Sequence, residues 1–200
     1  MKKILHIISS PRTDASVSRK LGRAVIEKIA DKYPGSKVKE RDLTKSKFPH
    51  LEENQIYSFF TKEEDRSADQ QQAVRLSDDA IAELHEADII VIDTSMYNFS
   101  VPSRLKAWID HICRPGKTFR YSEGRVEGLL KGKKLYIAFS GGSIYSEGTY
   151  KAYDFNVPYI KSLFGFFGIE DISVFRAEGL NVPVVQDSAF QKGVESIAIN

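Results

Sequence analysis

Short, nearly continuous apolar runs alternate along this chain with stretches of helical period, and that alternation constrains the fold more than any other feature. Lys3 to Ile8 is one such run, and Ile89 to Asp93 is the most strand-like of them. Runs of this kind suit strands buried on both faces of a parallel sheet. Between them Leu21, Val25, Ile26 and Ile29 make a helical stripe from Ser18 to about Lys32, which Tyr33-Pro34-Gly35 stops. Lys37 to Leu43 predicts a second strand. The polar stretch from Thr44 to about Asp69 has no clear period and predicts a loop with one short helix near Asn54 to Phe60.

A long amphipathic helix is expected from about Ala68 to Glu86 on Ala73, Leu76, Ala80, Ile81 and Leu84. Pro102 suits the first turn of the next helix, which carries Leu105, Trp108, Ile109 and Ile112 on one face and ends at Arg114-Pro115-Gly116. A strand at Leu135 to Phe139, an apolar helix from about Val157 to Phe167, a strand near Ile172 to Phe175 and a closing helix from Asp187 to Ile199 complete the expected elements. Strands alternating with helices predict an α/β domain spanning residues 1–200: a doubly wound, five-stranded parallel sheet of flavodoxin-like type with helices on both faces. Ligands of such sheets lie outside the carboxyl ends of the strands, where the winding reverses. That directs attention to the loops after the first, third and fourth strands.

Composition narrows the function. Twenty-nine Lys and Arg against 27 Asp and Glu leave a net charge of +2 over 200 residues, too balanced for a nucleic-acid binder. No apolar run approaches the ~20 residues that span a bilayer, and no leader pattern opens the chain, so a cytoplasmic protein is expected. Cys113 stands alone, and His6, His50, His85 and His111 form no cluster at ligand spacing, which excludes a disulfide scaffold and a metal module. Cys113 reads as an inert buried thiol, and His50, His85 and His111 as surface residues. Glu52-Glu53 and Glu63-Glu64-Asp65 read as a solvated face. There is no Gly-x-Gly-x-x-Gly after the first strand, no phosphate-binding P-loop around Gly132-Lys133 and no Gly-x-Ser-x-Gly elbow.

The three loops are unusual. Ser9-Ser10-Pro11-Arg12-Thr13-Asp14-Ala15-Ser16-Val17-Ser18 runs into a helix start, where free backbone N–H groups, the positive dipole end and serine hydroxyls suit a monophosphate. The plainer reading is a serine cap. Thr94 to Ser103 holds Met96, Tyr97 and Phe99 in a surface loop, where Tyr97 and Phe99 suit the walls of a flat ring system; packing of Met96 and Phe99 under the next helix is the alternative. Ser140-Gly141-Gly142-Ser143 places a glycine pair at a strand end, either for close approach of a ligand or for a plain turn. A phosphate cradle, an aromatic wall and a close-approach backbone at three strand ends are the parts a flavin mononucleotide requires.

These residues carry a family resemblance. The serine loop with Ser16-Val17-Ser18, then Met96-Tyr97-Asn98-Phe99 through Val101-Pro102-Ser103 and Leu105-Lys106-Ala107-Trp108, then Gly116-Lys117-Thr118-Phe119-Arg120-Tyr121, then Leu163-Phe164-Gly165-Phe166-Phe167-Gly168 resemble the FMN-dependent NADH azoreductases, also described as NADH:quinone reductases. The resemblance implies that FMN phosphate is held by Ser10, Ser16, Val17 and Ser18. It implies that the isoalloxazine lies against Met96, Tyr97, Asn98 and Phe99 and the loop Ser140, Gly141, Gly142 and Ser143. Two positions depart from the family pattern: Ser95 stands where proline is common, and Gly141 follows Ser140 directly where one residue usually intervenes. The resemblance further implies a homodimer in which Phe119, Tyr121 and the partner subunit's Phe166 line the substrate pocket, Tyr121 and Phe166 shaping acceptor choice. NADH would deliver hydride to the flavin and leave before a quinone or azo compound takes two electrons, with no catalytic side chain and no metal. The rivals are a flavodoxin-type one-electron carrier, which the +2 balance disfavours, and a cofactor-free interaction module.

Overall fold

The sheet is built from strands whose neighbouring residues go to opposite faces; the three central strands are buried on both, while the edge strand Lys37–Asp42 is largely exposed. In the computed structural model, which describes residues 1–200, these are β1 (Lys3–Ile8), β2 (Lys37–Asp42), β3 (Ile89–Ser95), β6 (Lys134–Gly141) and β7 (Asp171–Glu178), all parallel in the order β2-β1-β3-β6-β7. This is the expected flavodoxin-like sheet. On one face Ile4, Val91, Tyr136, Ala138 and Phe175 pack under α1 (Val17–Lys32) and α6 (Gln186–Glu195). On the other, Leu5, Ile7, Ile90, Ile92, Ile137 and Phe139 pack against α3 (Ala68–Glu86), α4 (Ser103–Ile112) and α5 (Val157–Phe166). Each large aliphatic side chain sealed in these two layers contributes roughly 1.5–3 kcal/mol, which is why the apolar runs dictate the layering. From β1 the chain winds one way to β2 and the other way to β3, β6 and β7, so the winding reverses between β1 and β3.

Three differences from the sequence expectation have local causes. An antiparallel hairpin, β4 (Phe119–Ser122) with β5 (Arg125–Gly128), stands between α4 and β6. Its turn residues Glu123 and Gly124 have φ of 51° and 73°, the pattern of a type I′ turn. Glutamate in place of the usual asparagine or aspartate made the turn hard to read. Strands β6 and β7 are longer than their apolar cores because each pairs to its end, Gly141 opposite Glu178, which carries Ser140, Arg176 and Glu178 to the binding edge. His111 is a correction: it is fully buried, its Nε2 lies 3.0 Å from the Pro49 carbonyl oxygen, and burial pushes its pKa down. The segment around Phe48 and α2 (Glu53–Phe60) covers it, and that segment has no period from which its path is legible. Cys113 is half-buried, and burial followed by nearby Asp110 pushes its thiol up, as an inert cysteine requires.

Candidate functional site

Helix α1 begins at the carboxyl edge of the sheet because Ser16 caps it, its Oγ accepting the Arg19 N–H at 3.3 Å. The N–H groups of Val17 and Ser18 have no partner in the chain and point out of the helix end, where the dipole favours an anion. Arg19, which sequence reasoning passed over, turns away from this end. Its Nη2 donates to the Ser10 carbonyl at 2.7 Å and its Nη1 to Asp42 at 3.0 Å, so it braces the serine loop from behind. Against partial burial, which acts the other way, hydrogen bonds from Thr44 and Arg19 hold the Asp42 carboxyl below its usual range.

The loop after β3 closes as a two-residue turn in which Tyr97 and Ser100 exchange backbone bonds of 3.1 and 2.9 Å. Asn98 and Phe99 have φ of 48° and 65°. Asparagine tolerates the left-handed region; a phenylalanine there is strained and persists only where its surroundings over-determine it. Asn156 does so. Fully buried, it donates from Nδ2 to the Ser95 and Ser100 carbonyls at 3.1 and 3.0 Å and accepts the Thr94 hydroxyl at 3.1 Å, while the Phe155 N–H bonds the Phe99 carbonyl at 3.0 Å. Met96 therefore packs half-buried on the core while Tyr97 and Phe99 stay exposed, and the Asn98 and Phe99 N–H groups have no partner.

At the end of β6 the glycine pair admits the chain's own neighbour. A Cβ on Gly142 would lie 2.7 Å from the Asn181 side chain, and Asn181 and Leu180 donate backbone bonds to Gly142 and Gly141. The Gly142 and Ser143 N–H groups remain without partners. All three loops are joined by hydroxyls: Ser95 Oγ donates to Ser18 at 3.0 Å, Ser95 and Ser140 lie 2.9 Å apart, and Ser18 and Ser16 lie 3.2 Å apart. A hydroxyl has one proton, so Ser140 must donate to Ser95. In the orientation where Ser18 donates on to Ser16, the Ser16 proton is the one left for an anion. Ser95, at the departure from the family pattern, is thus the link between α1 and β6.

Of these groups Ser16, Val17, Ser95, Met96, Ser140 and Gly142, with Ser10 and Arg12, border a cleft of about 520 Å³, a volume ordinary for a small-molecule site; Asn98 borders the next cleft, and Phe99 and Ser143 border neither. A larger cleft of about 900 Å³ lies on the other side of Tyr97, between the start of α4 and α5. The smaller one holds the helix terminus and is the better candidate for an anionic cofactor. Phe119, Tyr121 and Phe166 join neither cleft. Within one chain they form their own cluster, with Phe119 and Phe166 ring centroids 4.6 Å apart and Tyr121 71% exposed.

Beneath the site lies an ionisable pair that sequence reasoning missed. His6 Nε2 and Asp93 Oδ1 are 2.9 Å apart, both side chains are buried under α1, and Asp93 Oδ2 has no partner. Complete burial, opposed by the charges of His6, Arg19 and Arg23, pushes the Asp93 pKa up to about 6. The folded state holds this proton more tightly than the unfolded chain. The group's contribution to stability is therefore fully present below its ordinary value of 3.8 and lost as pH rises through about 6. Asp93→Asn should remove that loss, gaining on the order of 3 kcal/mol relative to the parent between pH 4 and pH 7. Urea unfolding at the two pH values checks this; equal pH dependence in parent and variant would refute it.

Comparison with known proteins follows the same lines. A family model described as a flavodoxin-like fold matches residues 2–198. An FMN-dependent NADH:quinone oxidoreductase from Herminiimonas arsenicoxydans is 44% identical over 180 residues, 90% of this chain and 88% of that protein. Among solved structures, an azoreductase from Bacillus anthracis str. Sterne superposes with a TM-score of 0.91 at 30% identity over 98% of this chain and 96% of its own. An FMN-dependent NADH-azoreductase from Bacillus anthracis str. Ames Ancestor, in complex with FMN, gives 0.85 at 26% identity over 98% and 97%.

Proposed function

From a chain that belongs to the flavodoxin-like family, among the FMN-dependent NADH:quinone oxidoreductases, we infer that the cleft between α1, the β3 loop and the β6 loop holds FMN. The protein is an FMN-dependent oxidoreductase that takes electrons from NADH and reduces quinones and aromatic azo compounds. The observation that carries the site assignment is the set of backbone N–H groups without partners at Val17, Ser18, Asn98, Phe99, Gly142 and Ser143, on three loops tied by one hydroxyl chain.

When bound, FMN supplies the redox chemistry, accepting hydride from NADH and passing two electrons to the acceptor. The residues supply placement. Ser10, Ser16, Val17 and Ser18 would hold the phosphate by hydroxyls, N–H groups and the dipole of α1, with Arg12 lining the same cleft and Arg19 turned away from it. Asn98, Phe99, Gly142 and Ser143 would give donors to the polar edge of the ring system, and Met96, Tyr97 and Phe99 an apolar wall that excludes water. Ser140 and Gly141 would close the opposite side. Because Phe119, Tyr121 and Phe166 stand apart from the cleft within one chain, the reading includes a homodimer, with the partner subunit's Phe166 lining the acceptor pocket. Dependence on NADH supports a cytoplasmic setting, and no helix is long and apolar enough to cross a membrane.

An anaerobic visible spectrum of the FMN-loaded protein tests this. NADH should bleach the flavin band and a quinone should restore it, in two separable half-reactions. A band that NADH leaves intact would favour a one-electron carrier, and failure to take up FMN would favour an interaction module.

A further inference from the structure

The buried His6–Asp93 pair touches nothing in the cleft, yet its place in the fold ties it to the charged end of the cofactor. Asp93 Oδ1 lies 2.9 Å from His6 Nε2, and Asp93 Oδ2 is buried with no hydrogen-bond partner. The carboxyl is pressed on the backbone of α1 at Gly22, where even a methyl group would stand 1.7 Å from Oδ1. Gly22 is five residues along α1 from Val17, about 7.5 Å at the helical rise of 1.5 Å per residue. Ser18, Arg19 and Gly22 are buried between them. A charge on Asp93 and a charge at the N-terminus of α1 therefore face each other through protein, where they are screened far less than across water.

The groups around the pair do not cancel that interaction. From β2, exposed Glu40 places Oε1 3.9 Å from His6 Nδ1. From α1, Arg19 is engaged by the Ser10 carbonyl and Asp42, and Arg23 is exposed to solvent. On the other side β6 brings only Tyr136 and Ala138, neither of them charged. Asp93 thus has one direct partner, His6, which turns its second ring nitrogen toward Glu40 and so toward solvent. Complete burial, opposed by His6, Arg19 and Arg23, pushes the Asp93 pKa up to about 6. At neutral pH the flavin-free protein accordingly holds a buried carboxylate behind the N–H groups that would receive a second anion.

We propose that the His6–Asp93 pair is a proton site linked to the cofactor: seating a phosphate dianion at the N-terminus of α1 draws a proton from solvent onto the Asp93 carboxylate, so that FMN is held more tightly as pH falls. This rests on the reading that α1 receives the FMN phosphate. No bond to the cofactor forms or breaks; the carboxylate gains one proton and becomes the neutral acid, which removes the repulsion between two anions across the first turns of α1. The coupling is reciprocal, so whatever the phosphate adds to the proton affinity of Asp93 the proton adds to the affinity for FMN. Riboflavin, which has no phosphate, gains nothing from the proton.

Titration calorimetry of the full-length protein freed of flavin tests this, with FMN added at pH 6.5 in two buffers of different ionisation enthalpy. Parent and Asp93→Asn are compared, because FMN gives up part of its own second phosphate proton, with a pKa of about 6, on binding to either. The parent should take up about 0.5 proton more per FMN than the variant, and its Kd for FMN should rise about sixfold between pH 5.5 and pH 7.5 beyond any change in the variant. Riboflavin should show neither effect. A second measurement needs no variant: the ¹³C resonance of the Asp93 carboxyl, titrated in the parent with and without FMN, should shift its midpoint upward by about one pH unit. An unmoved midpoint overturns the linkage and leaves the FMN site standing, and equal proton counts in the parent and a folded variant do the same. A protein that binds riboflavin as tightly as FMN does not hold the phosphate at α1, which overturns that reading and the linkage with it.

Discussion

Replacing Gly22 by alanine should destabilise the protein by about 3 kcal/mol, although alanine is the better helix former by about 1 kcal/mol. Gly22 lies in α1 one turn beyond Ser18, and an added Cβ would stand 1.7 Å from Asp93 Oδ1 and 2.5 Å from its Cγ. Neither side has room to yield, because Asp93 is fully buried in β3 and held by His6. The helix must lift, and with it the N-terminal groups that would receive the phosphate. Gly22→Ala should therefore lower both the urea midpoint and FMN affinity. Combining it with Asp93→Ala should recover much of each, since the added methyl then fills the space the carboxyl leaves. Strict additivity in that double-mutant cycle would show that the contact is not what requires glycine.

Asn156→Leu should weaken flavin binding tenfold or more while leaving the far-UV circular dichroism unchanged. Leucine fills a similar volume but leaves the Ser95 and Ser100 carbonyls and the Thr94 hydroxyl without their partner, at about 1–3 kcal/mol for each group left unsatisfied. The turn at Asn98 and Phe99 loses the clamp that holds Phe99 at positive φ, and relaxes toward a conformation with a different wall. Asn156 touches nothing at the phosphate end, so titration calorimetry should find riboflavin and FMN weakened by the same factor. Loss of FMN binding with riboflavin unaffected would place the effect at α1 and refute this role.

The hairpin β4–β5 and the long ends of β6 and β7 were hard to read for a common reason. Their residues are largely exposed or polar, and they are ordered by pairing and turn geometry rather than by burial of a periodic face. His111 misled for the converse reason: a polar side chain on a helix was assigned to water, yet a loop without period covers it. In the serine loop, Ser16 is both the cap and a neighbour of the cleft, so the two readings of that residue are compatible.

Periodicity of apolar residues determined the order of strands and helices, and with it the parallel sheet, the point where its winding reverses and the three loops gathered there. Those are local properties, because burial of a strand or a helix face is written in residues two, three or four apart. Only the tertiary structure decided that Asn156 would clamp the Ser95–Ser100 turn, that Arg19 would brace Ser10 instead of entering the cleft, and that Asp93 would lie beneath Gly22. A polar side chain carries no period that announces its partner. Its role is set when chain closure brings distant groups together and removes the water that would otherwise satisfy them.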